Sequence, residues 1–171
     1  MSTLESLRTA RLSLERIRAS DFADLYALNS DPRVMATLGG VRSEAETAAQ
    51  IAALDAHWER HGFGPWTARD PESGRFLGRG GLRRVPVEDR EEVEVLYALA
   101  ADAWGRGLAT ELARESVRVA FQELGLPDLV CFTLPENARS LAVMQRVGFQ
   151  YQRDFMHAGR PHRLHRLRGP A

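Results

Sequence analysis

A Gly-x-Gly turn joins a predicted strand directly to an amphipathic helix at residues 104–110, WGRGLAT. Glycine leaves the backbone N–H groups of such a turn uncovered by side chains, so a ligand can approach them closely. The helix that follows adds the unpaired N–H groups of its first turn and the positive end of its dipole. The sequence therefore predicts an anion site here, of a kind that suits a pyrophosphate.

The elements that position this turn alternate between strands and helices. Period-two apolar patterns predict strands, 3.6-residue patterns predict helices, and capping signals such as Ser43 with Glu46 mark helix starts. The resulting order, β α α β β β α β α β β, indicates an α/β domain with a mixed sheet. Strands are predicted at 11–17, 63–69, 75–84, 92–100, 129–134, 149–157 and 162–168, and helices between Asp21 and Asp31, between Ser43 and Gly62, over 109–124 and between Asn137 and Gly148.

Length and composition predict one cytoplasmic domain. The 171 residues, 44% of them hydrophobic, suffice for one core, so a single domain over 1–171 is expected. Because 23 basic residues balance 23 acidic ones, no overall field attracts nucleic acid or an anionic membrane. The single Cys131 excludes an internal disulfide and a cysteine-rich metal site, which favours a reducing compartment. We also expect no membrane span, since no apolar run approaches roughly 20 residues, and no signal peptide.

This order and two motifs resemble the GNAT N-acetyltransferase superfamily over nearly the whole chain. Residues 104–109 (WGRGLA) match the family's Q/R-x-x-G-x-G/A acetyl-CoA loop in their last three positions, with Trp where Gln or Arg is more usual. The flanking segments 97–99 (YAL) and 109–111 (ATE) resemble the branch of ribosomal-protein-alanine N-acetyltransferases. The second motif, residues 137–140 (NARS), continues to the Gly-Phe pair at 148–149 and resembles the same branch.

The resemblance implies a mixed, mostly antiparallel central sheet with flanking helices, whose fourth and fifth predicted strands splay apart beside the glycine turn. Acetyl-CoA is then the co-substrate, with no metal, and its pantetheine arm lies between the splayed strands. Backbone groups of Leu99 and Ala101 would pair with that arm, and Asn137 and Ser140 would reach the arm and its thiol end. The predicted cofactor-binding residues are Leu99, Ala101, Trp104, Gly105, Arg106, Gly107, Leu108, Ala109, Thr110, Asn137 and Ser140.

Two catalytic roles follow from the resemblance. Glu94 lies one strand ahead of the acetyl-CoA loop and is the candidate base, acting through water; a salt-bridged strand carboxylate is the alternative. Many members carry a tyrosine general acid four residues before the glycine of the Gly-Phe pair, where this chain has Met144. Ser140 is the implied replacement, as a hydrogen-bond donor to the departing thiolate. Since a thiol has a pKa of about 8.5, its thiolate leaves with little help.

Other readings of single residues are compatible with the sequence. Cys131 could accept the acetyl group in a ping-pong route, although a buried thiol is more often a core residue. His57 and His61 have the i, i+4 spacing of metal ligands but no third partner, which favours a surface histidine pair. Trp58 and Trp66 are expected in the core or on the wall of the acceptor pocket.

Two basic segments near the C-terminus also have more than one reading. We interpret the stretch at 162–168 as a sheet edge protected by charge. Arg146 has two readings: it contacts the 3′-phosphate of the nucleotide, or it lies in solvent at the end of a helix.

The predicted function is transfer of an acetyl group from acetyl-CoA to a primary amine by direct attack in a ternary complex. The alternative is a non-catalytic acyl-CoA-binding or sensing module. A nicotinamide-dependent oxidoreductase fits less well, because Thr110 stands where a dinucleotide fingerprint has its third glycine. A protein N-terminus, a polyamine, an amino acid and an aminoglycoside-like antibiotic are all compatible acceptors. A homodimer is equally compatible with the sequence.

Overall fold

The computed structural model describes residues 4–170. Eight strands and five helices form the domain. The strands are β1 (Ser6–Arg8), β2 (Ser13–Arg16), β3 (Pro65–Arg69), β4 (Phe76–Val87), β5 (Arg90–Leu99), β6 (Asp128–Thr133), β7 (Gln150–His157) and β8 (Arg160–Arg168). The helices are α1 (Phe22–Ser30), α2 (Pro32–Met35), α3 (Glu44–His61), α4 (Leu108–Arg118) and α5 (Ala138–Val147), and α4 runs on into a π-helical turn at Val119–Glu123.

All eight strands belong to one sheet in the order β1-β2-β3-β4-β5-β6-β8-β7. Neighbours are antiparallel except β5 and β6, which run parallel because α4 carries the chain back over the sheet between them. The expected mixed, mostly antiparallel sheet with flanking helices is therefore confirmed. The fourth and fifth predicted strands are β5 and β6, since one further strand precedes the first predicted one.

Local signals set the ends of α3 as the sequence predicts. Ser43 and Glu46 form a reciprocal capping box, in which Glu46 N–H donates to Ser43 Oγ over 3.2 Å and Ser43 N–H donates to Glu46 Oε2 over 2.7 Å. Gly62 ends the helix in the left-handed region with φ +71°. The buried face of α3 carries Thr47, Ile51, Leu54 and Trp58.

A close approach of α4 to the sheet forms the main core. Leu108, Leu112 and Ala113 of α4 are buried against β4 and β5. A Cβ added to Gly80 of β4 would lie 2.6 Å from Leu112 Cδ2 of the helix and 2.6 Å from the backbone oxygen of Leu96 in β5, so a larger residue here would disturb this packing. This packing fixes the start of α4 against the end of β5, where the glycine turn lies.

Three features differ from the expectation. The strand β1 and the single-turn helix α2 were not predicted, because each is too short to show a period. The basic segment at 162–168 is not a sheet edge: β8 lies between β6 and β7, and β7 is the edge strand. Within residues 4–170, no helix is both long and apolar enough to cross a membrane.

Candidate active site

A cleft opens where β5 and β6 separate. The two strands pair only at Glu94 opposite Val130, and past this point no β5–β6 pair is formed within the described chain. The cleft has a volume of about 890 Å³ and is lined by residues 95–99 of β5 and 131–133 of β6. The first residues of α4 and α5 also line it. Two helix N-termini therefore point their positive dipole ends into one cavity.

The glycine turn forms one rim of this cleft. Gly105 and Gly107 have φ values of +72° and +76°, in the left-handed region that favours glycine. Within the described part of the chain, the backbone N–H groups of residues 106–110 donate no hydrogen bond. The first helical bond of α4 runs from Glu111 N–H to Gly107 O over 3.1 Å. These free donors are the groups that the predicted anion site requires, and the site itself stays a prediction.

Arg11 holds the turn from outside. Its Nε donates to Glu111 Oε2 over 2.7 Å, and one terminal nitrogen donates to Arg106 O over 2.6 Å. Thr9 Oγ1 donates to Glu111 Oε1 over 2.6 Å. Although partial burial opposes it, these hydrogen bonds hold the pKa of Glu111 below its ordinary value. The negative charge of Glu111, in the first turn of α4, is thus compensated by Arg11 beside the predicted anion site.

Arginines dominate the charge of the cleft. Of the described residues that line it, Glu94 is the only acidic one. Two arginines are paired, Arg11 with Glu111 and Arg33 with Asp31. The lining arginines are Arg11, Arg33, Arg114, Arg139 and Arg146. This excess of positive charge suits a ligand that carries several phosphates.

Trp104 is fixed by two contacts. Its indole Nε1 donates to Leu99 O over 3.0 Å, and the Arg139 guanidinium lies 4.0 Å from the centre of its ring. Trp104 therefore links the end of β5 to the start of α5. The resemblance implies that backbone groups of Leu99 pair with the pantetheine arm; the Leu99 carbonyl already accepts this indole bond and keeps one lone pair.

The start of α5 brings hydroxyl groups together at the base of the cleft. Tyr97 Oη lies 3.0 Å from Ser140 Oγ and 3.3 Å from Ser140 O, and Cys131 Sγ donates to Tyr97 Oη over 3.9 Å. Burial, together with the neighbouring Cys131, raises the pKa of Tyr97. Tyr97 therefore stays protonated at neutral pH and acts as a hydrogen-bond donor, never as a base.

Asn137 serves as a helix cap. Its Oδ1 accepts from Ser140 N–H over 3.2 Å, and its Nδ2 donates to Thr133 Oγ1 over 2.9 Å. One proton of Nδ2 stays available for a ligand. The cap fixes the position of Ser140 relative to β6.

Glu94 lies on the other face of β5 from Tyr97 and is 6% exposed. Its Oε2 accepts from an Arg83 terminal nitrogen over 2.7 Å. Its Oε1 accepts no hydrogen bond from the described residues and is free for a water or an amine. Glu94 is thus both salt-bridged and present in the cleft, which combines the two readings of the sequence.

Most residues predicted for the site meet in this cleft. Ala101 and Arg106 do not line it; Ala101 lies in a 3-10 turn, and Arg106 contributes its carbonyl to Arg11. The roles assigned to all of them stay predictions. The predicted residues that line the cleft are Glu94, Leu99, Trp104, Gly105, Gly107, Leu108, Ala109, Thr110, Asn137 and Ser140.

Cys131 lies on the floor of the cleft and is 3% exposed. Burial raises the pKa of its thiol, with the charge of Glu94 acting in the same direction. A thiol that stays protonated is a poor nucleophile. The geometry agrees with the core reading of this residue.

His57 of the histidine pair is a structural bridge, and the ring of His61 lies 4.5 Å from its ring. His57 Nε2 accepts from Arg84 N–H over 3.0 Å, so Nδ1 carries the proton and donates to Phe63 O over 2.9 Å. Both ring nitrogens are thereby used, and His57 links α3 to β4. Across residues 4–170, no group of three or more His, Cys, Asp or Glu side chains could hold a metal ion.

Trp58 and Trp66 belong to the core. They are 2% and 0% exposed, and neither lines the cleft. Their indole nitrogens donate to Pro65 O and Leu4 O over 2.9 and 2.8 Å. Arg146 lines the cleft, and its carbonyl accepts from Arg114.

The hydroxyl of Tyr97 is a part of the cleft that the sequence did not predict, since residue 97 entered only through the motif segment 97–99. A polar hydroxyl on the apolar, α4-facing side of β5 was the available signal, because a buried tyrosine needs a hydrogen-bond partner.

Comparison with known proteins agrees with this geometry. Residues 11–150 match the family described as the acetyltransferase (GNAT) domain. The chain is 31% identical over 159 residues to the FsC-acetyl coenzyme A-N(2)-transacetylase of Aspergillus fumigatus, a match that covers 88% of this chain and 67% of that protein.

Solved structures of acetyltransferases share the fold. An acetyltransferase from Agrobacterium tumefaciens is 28% identical with a TM-score of 0.84, over 95% of this chain and 93% of that one. A ribosomal-protein-S5-alanine acetyltransferase from Vibrio fischeri is 15% identical with a TM-score of 0.77, over 96% of each chain. At that identity the likeness shows the fold alone, and this branch is one neighbour among several.

Proposed function

The chain belongs to the GNAT acetyltransferase family, and we propose that it moves the acetyl group of acetyl-CoA to a primary amine by direct attack in a ternary complex. The observation that carries this proposal is the row of free N–H groups at residues 106–110, set on the rim of a cleft between separated strands. Such donors at a helix N-terminus suit the diphosphate of coenzyme A. Acetyltransferases of this family use acetyl-CoA.

The cleft offers a place for each part of the co-substrate. The diphosphate would lie on residues 106–110, and the pantetheine arm would run between β5 and β6 toward Ser140. Backbone groups of β5 that have no β6 partner would pair with the amides of that arm and polarise the thioester carbonyl. The unpaired arginines Arg114, Arg139 and Arg146 would face the phosphate end.

Glu94 would act as the base. An α-amine has a pKa of about 8, so only a weak base is needed to take a proton from it during attack. The free Oε1 of Glu94 would receive that proton, directly or through a water, while Arg83 holds Oε2. As the amine adds to the carbonyl carbon, the C–S bond breaks and the electron pair leaves on sulfur.

Ser140 would stabilise the departing thiolate. Either hydroxyl of this 3.0 Å contact can be the donor, and in the proposed step Tyr97 would donate to Ser140 Oγ, so that the Ser140 proton would point at sulfur. The tyrosine hydroxyl thus belongs to a residue of β5, whereas many family members carry a tyrosine at the Met144 position. In this proposal it would act through Ser140. Most of the rate gain would come from holding the amine and the thioester together.

The acceptor is a primary amine, a protein N-terminus or a small molecule. The Aspergillus relative is named for transfer to an N(2) nitrogen, which supports a small-molecule amine as readily as a peptide. A site for a protein N-terminus and one for a small amine need the same base and the same thioester position. They differ in what surrounds Glu94.

Release of free thiol from acetyl-CoA tests the proposal. The purified protein is incubated with acetyl-CoA and a panel of amines and peptides, and acceptors are identified by mass analysis. We expect release with at least one amine. A non-catalytic acyl-CoA-binding module would bind acetyl-CoA but release no thiol with any acceptor. This outcome would contradict the enzyme proposal and support the binding module.

A further inference from the structure

Arg79 of β4 is a buried cation without a partner. It is 6% exposed, and its side chain makes no hydrogen bond, salt bridge or ring contact with any residue in 4–170. The comparably buried Arg16 shows what this fold does elsewhere, since Glu5, Asp55 and Glu59 all bind its guanidinium. A buried charge that lacks a counter-ion is costly. A ligand that supplies the missing anion would offset this unfavourable free energy.

Arg79 lies on the sheet face that carries Glu94. In the β4–β5 ladder, Arg79 is opposite Ala98 and Arg83 is opposite Glu94, and alternation places all four on one face. The adjacent Gly80 faces α4 on the other side, where its added Cβ would meet Leu112.

This face borders the cleft on the side of α1 and α2. Ala98 packs with Leu28, Val34 and Met35 of these helices. Glu94, Leu96 and Ala98 all line the cleft. Arg79 is therefore on the strand directly behind the cleft wall, on the side where Glu94 would meet the amine.

The charges around Arg79 do not balance. Arg42 and Arg83 act on it as like charges, and among residues 4–170 Glu94 is the one carboxylate that acts on it with opposite sign. Arg83 already binds that carboxylate. Burial, with Arg42 and Arg83, lowers the pKa of Arg79 to about 10, so the side chain stays charged at neutral pH. Arg42 forms no salt bridge with a residue in the described range and sits after α2, tied to α1 by a 2.9 Å bond from its N–H to Asn29 O.

We propose that Arg79 binds a carboxylate of the acceptor, so that the enzyme prefers amines that carry a carboxylate. The inference rests on the proposed acetyl transfer and narrows its substrate class. A guanidinium presents a planar fork that matches a carboxylate, and the bond is strong where water is excluded. The carboxylate would complete the charge balance and place the amine at Glu94.

Kinetics with matched acceptors test the preference. Amino acids are compared with their carboxamides, at saturating acetyl-CoA, for the wild type, Arg79→Met and Arg33→Met. For each pair, the kcat/KM of the carboxylate is divided by that of its carboxamide. We expect this ratio to be at least tenfold higher in the wild type than in Arg79→Met, mainly because of a change in KM. The basicity of the amine cancels in this comparison of variants. Arg33→Met is the matched control, because Arg33 lines the same cleft but is paired with Asp31, and it should keep the preference.

Several outcomes of these kinetics would overturn the inference. Equal ratios in the wild type and Arg79→Met, or loss of the preference in Arg33→Met alone, would each do so. Phosphoethanolamine is included as a phosphate-bearing amine, and a stronger effect of Arg79→Met on it than on the amino acids would contradict the carboxylate assignment.

A binding measurement separates this inference from the proposed function. The Nε–H signal of Arg79 is assigned by its loss in Arg79→Met and is followed by NMR in the CoA-bound wild type during titration with acetate or acetamide. A saturable shift with acetate and none with acetamide is expected even if no amine is acetylated. An unchanged signal with acetate would refute the carboxylate site, while thiol release could still establish the enzyme.

Thermal unfolding tests whether Arg79 is instead a structural residue. Since methionine has a similar length and no charge, Arg79→Met should keep or raise the Tm if the cation has no partner in the free protein. A fall of several degrees would mean that the fold itself uses the charge, which contradicts the inference.

Discussion

The hydroxyl of Tyr97 lies 3.0 Å from Oγ of Ser140, although the two residues are 43 positions apart in the chain. Tyr97 comes from β5 and Ser140 from the first turn of α5, so this contact joins the two elements that flank the cleft. In the proposed mechanism, the pair would supply the hydroxyl chemistry that Met144 cannot. Its position at the base of the cleft makes it the best structural candidate for stabilising a leaving thiolate.

The Tyr97–Ser140 pair predicts a non-additive mutant cycle. Tyr97→Phe should lower kcat about five- to tenfold, because a hydrogen bond of this kind contributes about 1–1.5 kcal/mol. Ser140→Ala should lower kcat at least as much, and the double variant should be no worse than Ser140→Ala alone. The measurement is steady-state thiol release, and the control is the CoA affinity of Tyr97→Phe from calorimetry, which should not change. Independent, additive losses would show that Tyr97 does not act through Ser140.

Glu94→Gln should reduce kcat by about two orders of magnitude or more, the usual contribution of a positioned base. Affinity for acetyl-CoA should stay unchanged, because Glu94 is distant from residues 106–110 in the fold. Glu92→Gln is a matched control: Glu92 is on the same face of β5 and is paired with Arg166, but it does not line the cleft. A similar loss of kcat in both variants would remove Glu94 from its proposed role.

Cys131→Ala should retain acetyl transfer. The buried thiol stays protonated because its pKa is raised, and direct attack by the amine does not need it. The variant should lose stability by only about 1 kcal/mol, a typical value for a small change in the core. Mass spectrometry of the wild type mixed with acetyl-CoA should detect no acetylated enzyme. An acetyl group on Cys131, together with an inactive Cys131→Ala, would establish a ping-pong route instead.

His57 predicts a loss of stability toward acid pH. Burial, then the neighbouring His61, lowers the pKa of His57 in the folded protein, so the unfolded chain binds a proton more readily. The free energy of unfolding should therefore be fully present above the ordinary histidine pKa of about 6.5 and should fall as the pH drops below it. Urea unfolding at pH 7.5 and 5.5 measures this difference.

The matched comparison for this prediction uses two glutamine variants. His57→Gln should show a smaller difference between the two pH values than the wild type. Arg90→Gln, at an exposed position at the start of β5, should keep the difference. If His57→Gln leaves the pH dependence intact, groups other than His57 cause it.

The sequence predicts those parts of the fold that depend on local chemistry. The capping box of Ser43, the left-handed Gly62 and the glycine turn before α4 need only residues within a few positions of each other. The start of the helix α2 also has a local signal, since Asp31 caps it and Pro32 occupies its first position.

The remaining features depend on packing between distant segments. The placement of β8 inside the sheet follows from its pairing with β6, which no local pattern of charge reveals. The contact of Tyr97 with Ser140 needs β5 and α5 to be adjacent in space. The isolation of Arg79 likewise becomes visible only when its neighbours are known, because arginine on a strand normally indicates a solvent-facing position.

Binding of coenzyme A to the glycine turn is the central claim, and calorimetry with two valine variants tests it most directly. Gly107→Val and Gly74→Val place the same side chain at nearly the same backbone angles, φ +76° and +72°, and Gly74 lies in a turn outside the cleft. Each carries a similar strain of about 1–2 kcal/mol. We predict that the wild type and Gly74→Val bind coenzyme A and acetyl-CoA, and that Gly107→Val binds at least about tenfold more weakly, which corresponds to 1.4 kcal/mol. A wild type that gives no binding heat with either compound, or a Gly107→Val that binds as the wild type does, would contradict the account.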